Sequence, residues 1–351
     1  MQYDQKITRL KGFGIILVVL GHAILSNKNG YTLRNFIYSF HLAIFYFATG
    51  YLYKEKYKIE IKSYCLKRLR SLYIPYVGYG LIFLLLHNLF CIIGLYHLSN
   101  SYSFGTMVDN AFNLIKFNYF EPLSGTFWFF KSLFIVSTIF EISIYFVHKY
   151  FIHEKVVFAG IILCLTILGF SGIYFEYPGH KTISNLSLLP FMYIGHLIYI
   201  FKDKIKYKTS LAFVAFIVIV FYSNNVIEIN SMSIGQGPFV FYLCGICGVY
   251  MMLTIASKVP SKKYLDKIIV YIGKKTEPIF IWHLLCFRIV SFLMIFFYGL
   301  DSSLLAKHPI IGINNDVWWL VYLAVGIVGS LIIERLISLF QFFILKIYRH
   351  E

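Results

Sequence analysis

Lys11 and His22 bracket the run KGFGIILVVLGH, with ten uncharged, mostly apolar residues between them. A histidine inside an apolar segment is costly, so it has either a packed hydrogen-bonding partner or a chemical task. Eleven steps of α-helix advance about 16 Å and complete about three turns, so the ammonium and the imidazole look down one helix face. A cation at the mouth of such a face and an imidazole deep along it suit an anionic cofactor whose reactive end reaches inward. His41, in FHLAIFYFATGY, falls on the next apolar run at about the depth of His22 when the two runs are antiparallel. Two imidazoles at one level could meet across a shared cavity, and a group with a pKa of about 6.5 can take a proton from a hydroxyl at neutral pH.

The stretch KRLRSLYIPY, residues 67–76, is the next candidate. Its bland reading is anchoring in lipid headgroups. Its chemical reading is an anion clamp, because Arg68 and Arg70 stand where the other basic loops mostly use lysine, and arginine makes bidentate phosphate contacts. In GTFWFFK, Trp128 has the character of an interfacial tryptophan, and Lys131, one turn deeper, could line a polar cavity. His87 and Asn88 are weaker candidates of that kind. Glu141, His283, Arg288, Glu334 and Arg335 lie in later apolar runs, where Glu–Arg pairs holding helices together are the default expectation. His283 is expected in the half of its run nearer the cytoplasm, where it could guide an entering cofactor but stands badly for acting with His22. Cys244-x-x-Cys247 has a redox or metal spacing but sits in FYLCGICGVYMML, where small residues serve close helix packing better. Neither a disulfide framework nor a structural metal is expected.

These residues need helices through a membrane to position them. Of 351 residues, 59% are hydrophobic and 14% charged, with a mean hydropathy of +0.71. Soluble domains carry roughly 25% charged residues, so the composition points to an all-α polytopic membrane bundle, one domain over 1–351. Ten runs approach the lipid-spanning length of about 17–25 residues, near 12–27, 36–53, 72–95, 127–147, 154–174, 185–201, 210–227, 238–256, 278–299 and 317–345. The first is read as a retained span instead of a cleaved signal, since it carries a histidine and lacks a small-residue cleavage site. Alternate loops hold 24 of the 32 Lys and Arg, among them Lys6, Arg9, seven between 54 and 70, Lys262 and Arg349. By the positive-inside rule this predicts both termini in the cytoplasm. The net charge of +16 is thus mostly topology; anionic lipid headgroups are its expected partners, and a nucleic-acid surface on a soluble module is excluded. MVDNAFNLIKF, in the loop near 97–126, has the spacing of an amphipathic helix on the outer surface.

In KGFGIILVVLGH, FHLAIFYFATGYLY, KRLRSLYIPY and GTFWFFKSLFIV, with EPIFIWHLLC as a weaker fifth, the chain resembles the membrane-embedded acyltransferase 3 family, most closely its fucose 4-O-acetylase-like branch. That resemblance implies transfer of an acyl group, usually acetyl, from cytoplasmic acyl-CoA to a hydroxyl of a surface polysaccharide or its lipid-linked precursor, in a bacterial cytoplasmic membrane. It implies His22 as the catalytic histidine and His41 as a site residue near the acceptor, with transfer either direct or through a transient acyl-histidine. Lys11, Arg68 and Arg70 would then hold the CoA phosphates, and Trp128 and Lys131 would lie on the acceptor side. The usual residue at the position of Lys11 is arginine; lysine keeps the charge and loses the planar fork. The rival reading is a carrier exporting such a saccharide. Carriers favour inverted repeats and helices broken at mid-membrane; here the two halves show no similarity, and the prolines sit at run ends or in loops.

Overall fold

The computed structural model describes residues 4–24, 28–223, 227–228, 233–261, 263–312 and 317–347. Residues 25–27 and 224–226 of the first and seventh expected runs lie outside the described residues, as do Lys262 and Arg349. The described residues form helices joined by turns and loops, with one short antiparallel pair, Ile227–Glu228 with Ser233–Ile234.

Helix α1 (Gln5–Ala23) is started by Asp4, whose carboxylate accepts from the Lys6 and Ile7 amides at 3.0 and 3.3 Å, the usual role of an aspartate at a helix N-cap. It is followed by α2 (Lys28–Tyr38) and α3 (Ala43–Tyr51). The run 36–53 is therefore two helices with a turn at 39–42, not one continuous span. Ser39 Oγ donates to the Asn35 carbonyl at 2.7 Å and His41 Nδ1 to the Ile37 carbonyl at 2.9 Å. Such local side-chain bonds compete with the helical ladder and open it here.

A continuous helical stretch follows, from α4 (Ile61–Arg68) through a π-helical segment, Leu69–Tyr73, into α5 (Ile74–Ile92). Then come α6 (Phe104–Ile115), α7 (Trp128–Tyr150), α8 (Glu154–Tyr174), α9 (His180–Ile183) and α10 (Leu189–Ile200). The chain closes with α11 (Thr209–Tyr222), α12 (Pro238–Lys258), α13 (Tyr264–Lys274), α14 (Thr276–Tyr298), α15 (Leu304–Lys307) and α16 (Trp318–Ile347).

Among the described residues seven helical stretches are long and apolar enough to cross a membrane: 61–92, 122–150, 154–174, 180–200, 238–258, 276–298 and 318–342. The other three expected runs correspond to α1, which carries three cations near its start, to the broken pair α2–α3, and to the 14-residue α11. Helix α6 is the expected amphipathic one, and its Phe104, Val108, Phe112 and Ile115 stay exposed along one face.

Helix α1 is buried on nearly every side and packs against α3, α12, α13, α14 and α16. A helix enclosed all round is a central one. The pair α3 and α10 approach closely because Gly50 and Gly195 face each other's backbones; a Cβ at either would collide with the Met192 or the Phe47 carbonyl. Arg9, counted among topological cations in the sequence, is buried. Its Nε lies 2.8 Å from Asp266 Oδ1, and its two terminal nitrogens donate to the Ala256 carbonyl (3.2 Å) and to Ser261 Oγ (3.0 Å). One guanidinium thereby locks α1 to α12 and α13. Removing one partner of a buried ion pair costs about 3–5 kcal/mol. Asp266→Ala is therefore expected to lower the melting temperature of the detergent-solubilised protein sharply, whereas Arg9→Met with Asp266→Leu restores most of it.

Candidate active site

Four rings from separate elements gather at the C-terminal end of α1. Tyr38, the last residue of α2, brings its hydroxyl to 3.4 Å from His22 Nδ1. Glycine at position 21 permits this, because a Cβ there would meet the Tyr38 ring at 2.8 Å. On its other side Tyr38 meets His41, with ring centroids 4.9 Å apart, and the Arg34 guanidinium lies over the Tyr38 ring at 4.3 Å. The two histidines expected to share a cavity are thus linked through a tyrosine.

His283 lies where the sequence reading did not expect it. Its ring is 5.4 Å from that of His22, centroid to centroid, tilted by 36°. Depth counted from the end of the run misplaced it because α13 packs against the first turns of α1. A Cβ on Gly273 would collide with the Thr8 carbonyl, and one on Gly12 would meet Gly273 N at 3.2 Å. Helix α14 therefore begins well inside the fold, and its third turn reaches the level of His22. His283 is fully buried; its Nδ1 faces the carbonyls of Ile279 and Phe280 at 3.1 and 2.9 Å, and among the described residues its Nε2 has no hydrogen-bonding partner.

A cavity of about 260 Å³ runs along the same face of α1, past Lys11, Ile15 and Val18. His22 is the next residue on that stripe, one turn beyond Val18. Phe280, which lines the cavity, touches the His283 ring at 6.3 Å between centroids. Leu42, Phe45 and Ala48 form one apolar wall and Phe129, Phe130 and Leu133 another. The polar end holds Lys11, Lys67 and Arg68 against a single carboxylate, Glu277. Lys67 and Glu277 were not singled out in the sequence, since both read as ordinary residues at helix ends.

Arg68 rests over the Tyr64 ring at 4.7 Å. Arg70 lines a neighbouring groove with Tyr57, Ser63 and Leu66, which shares only Lys67 and Ser71 with the cavity. Residues two apart on a helix face different ways, so the two arginines do not form one clamp. Trp128 and Lys131 do not line the cavity; Trp128 packs on Phe129, and Lys131 Nζ donates to the Phe117 carbonyl at 3.1 Å, just beyond the end of α6. His87 is fastened by Glu121 (3.1 Å) and the Asn100 carbonyl (2.9 Å) and stacks on Tyr102, while Asn88 pairs with the Tyr102 backbone through both side-chain atoms. These residues tie down the loop before α7. Among the described residues the expected Glu–Arg helix pairs are not seen: Arg288 holds the carbonyls of Leu305 and His308, and Glu334 pairs with Lys275 at 3.3 Å. Six cysteines are free thiols, and among the described residues no group of three His, Cys, Asp or Glu side chains is arranged to hold a metal.

The family model of the acyltransferase 3 family, described as an acyltransferase domain, matches residues 4–335. No curated protein and no solved structure matches the chain. The matched span runs from the cap of α1 into α16 and includes every residue of the ring cluster and the cavity: the chain belongs to the acyltransferase 3 family, and it is a membrane acyltransferase.

Proposed function

We propose that the protein moves an acetyl group from cytoplasmic acetyl-CoA to a hydroxyl of a surface polysaccharide or its lipid-linked precursor, with His22 as general base. The observation that supports this most is the cavity, lined by Lys11, Lys67 and Arg68 and by a larger apolar surface, on the α1 face that continues one turn past Val18 to His22, whose ring neighbours that of His283. Lys11, Lys67 and Arg68 bind the CoA phosphates, where charge-assisted bonds to anions are strongest. The narrow apolar section between Ile15, Val18 and Phe280 takes the uncharged pantetheine arm and excludes water from the thioester.

In this reading the acceptor hydroxyl gives its proton to His22 as its oxygen attacks the thioester carbonyl, and His22 returns that proton to the departing thiolate. His41, its Nδ1 committed to the Ile37 carbonyl, stands beside Tyr38 on the acceptor side. Trp128 and Lys131 frame the outer approach without touching the cavity, and Arg70 adds to the basic field beside it. With α1, α2–α3 and α11 also crossing, the chain spans a bacterial cytoplasmic membrane ten times with both termini inside, which brings Lys11 and Arg68 to the cytoplasmic supply of acyl-CoA.

Mass spectrometry of surface polysaccharide from cells carrying the native protein or His22→Ala tests the reading. An O-acetyl mass increment is expected only with the native protein, since loss of a general base lowers rate by about 10²–10⁴. Equal glycans from equally expressed proteins would favour a carrier. Lys11→Ala is expected to weaken CoA binding by about tenfold, or about 1.4 kcal/mol, and Lys11→Arg to lose much less, as read by isothermal titration in detergent. Equal losses would assign Lys11 a geometric role instead of a charge. Thr49→Trp, filling the cavity from α3, is expected to abolish CoA binding while the protein still folds.

A further inference from the structure

We infer that His283 is a positioning residue for His22, acting through an imidazole–imidazole hydrogen bond in which His283 Nε2 is the acceptor. The inference rests on His22 being the base of the proposed reaction.

Both carbonyls near His283 Nδ1 are acceptors, at 3.1 and 2.9 Å. Nδ1 must therefore carry the proton, and in the neutral ring Nε2 carries a lone pair. A lone pair buried without a partner is costly, and this one sits on a ring 5.4 Å from that of His22. His22 has the complementary need. A general base works when its second nitrogen holds a proton that a third group accepts, because this fixes both tautomer and ring orientation. With Nδ1 of His22 turned to the Tyr38 hydroxyl at 3.4 Å, Nε2 is the nitrogen left for His283. A His22 Nε2–H bond to His283 Nε2 places the basic lone pair of His22 at Nδ1, on the side of Tyr38 and His41 where the acceptor arrives. Distances of this kind tighten when substrate binds.

The proton balance closes with no further reactant. The acceptor O–H bond breaks, its proton passes to His22 Nδ1, the oxygen bonds to the acyl carbon, and the C–S bond breaks. The thiolate then recovers that proton from His22. His283 keeps its own Nδ1 proton throughout and bears the hydrogen bond to the transient imidazolium.

The test is acetyl transfer from labelled acetyl-CoA to endogenous glycan in inverted membrane vesicles, with His283→Leu, His283→Gln and His22→Ala. Leucine fills the space without an acceptor, whereas glutamine restores one. His283→Leu is expected to lower kcat by about 100-fold with KM for acetyl-CoA within about twofold. His283→Gln is expected to recover at least tenfold of that loss, and His22→Ala with His283→Leu to be no slower than His22→Ala alone. Equal losses with leucine and glutamine, or a KM change as large as that in kcat, would reduce His283 to a packing residue. A fully active His283→Leu beside an inactive His22→Ala would overturn this inference and leave the proposed function standing. An active His22→Ala would overturn both.

Discussion

A helix buried on nearly every side cannot leave a polar group without a neighbour to hold it, which governs Asp4 at the cap of α1 and Arg9, Lys11 and His22 along it. The Asp4 carboxylate caps α1 by accepting from the Lys6 and Ile7 amides and also accepts from the Tyr51 hydroxyl at 2.9 Å; Arg9 is held by Asp266 and by acceptors from α12 and the loop after it. These two fix the basic end of the helix against its surroundings. Lys11 and His22 lie further along, and their neighbours are a cavity and a cluster of rings. The part of α1 that is satisfied internally thus holds in place the part that is open to a ligand. The Arg9 lock, together with the close approach of α13 at Gly12 and Gly273, holds the 11–15–18–22 stripe beside α14.

The ring cluster draws on four elements distant in sequence, and each arrives for a local reason. Gly21 admits Tyr38. The turn at 39–42 ends α2 early and turns His41 back on the Ile37 carbonyl. The packing of α13 on the first turns of α1 starts α14 deep enough for His283 to meet His22. Buried polar networks are valuable when fully satisfied and costly when they are not. His283 Nε2 and the Nε of Arg68 are both buried donors or acceptors without partners among the described residues. The first is the atom assigned to His22, and the second lies beside the cations proposed to meet the CoA phosphates.

Much of this was legible in the sequence where the physics is local. The Lys11–His22 stripe needed only helical periodicity, and the membrane class needed only composition. Arg68 was legible as a cation at the entrance, and its separation from Arg70 follows from their spacing of two on a helix, which sends the two side chains to different grooves. The break before α3 was hidden in an unbroken apolar run, since Ser39 and His41 act through backbone carbonyls that hydropathy does not register. Arg9 was absorbed by the positive-inside rule, although its partner Asp266 lies 257 residues away. His283 was misplaced because depth along a chain translates into depth in a fold only when neighbouring helices start level.

Cryo-electron microscopy of the solubilised protein with saturating CoA shows whether the cavity along α1 is the cofactor site. Density is expected for the diphosphate among Lys11, Lys67 and Arg68, with the pantetheine arm passing Ile15 and Val18 and its thiol ending at His22. Density for CoA elsewhere, such as in the cavity of about 580 Å³ beside Lys58, Lys155 and His196, with the α1 cavity empty, would contradict it.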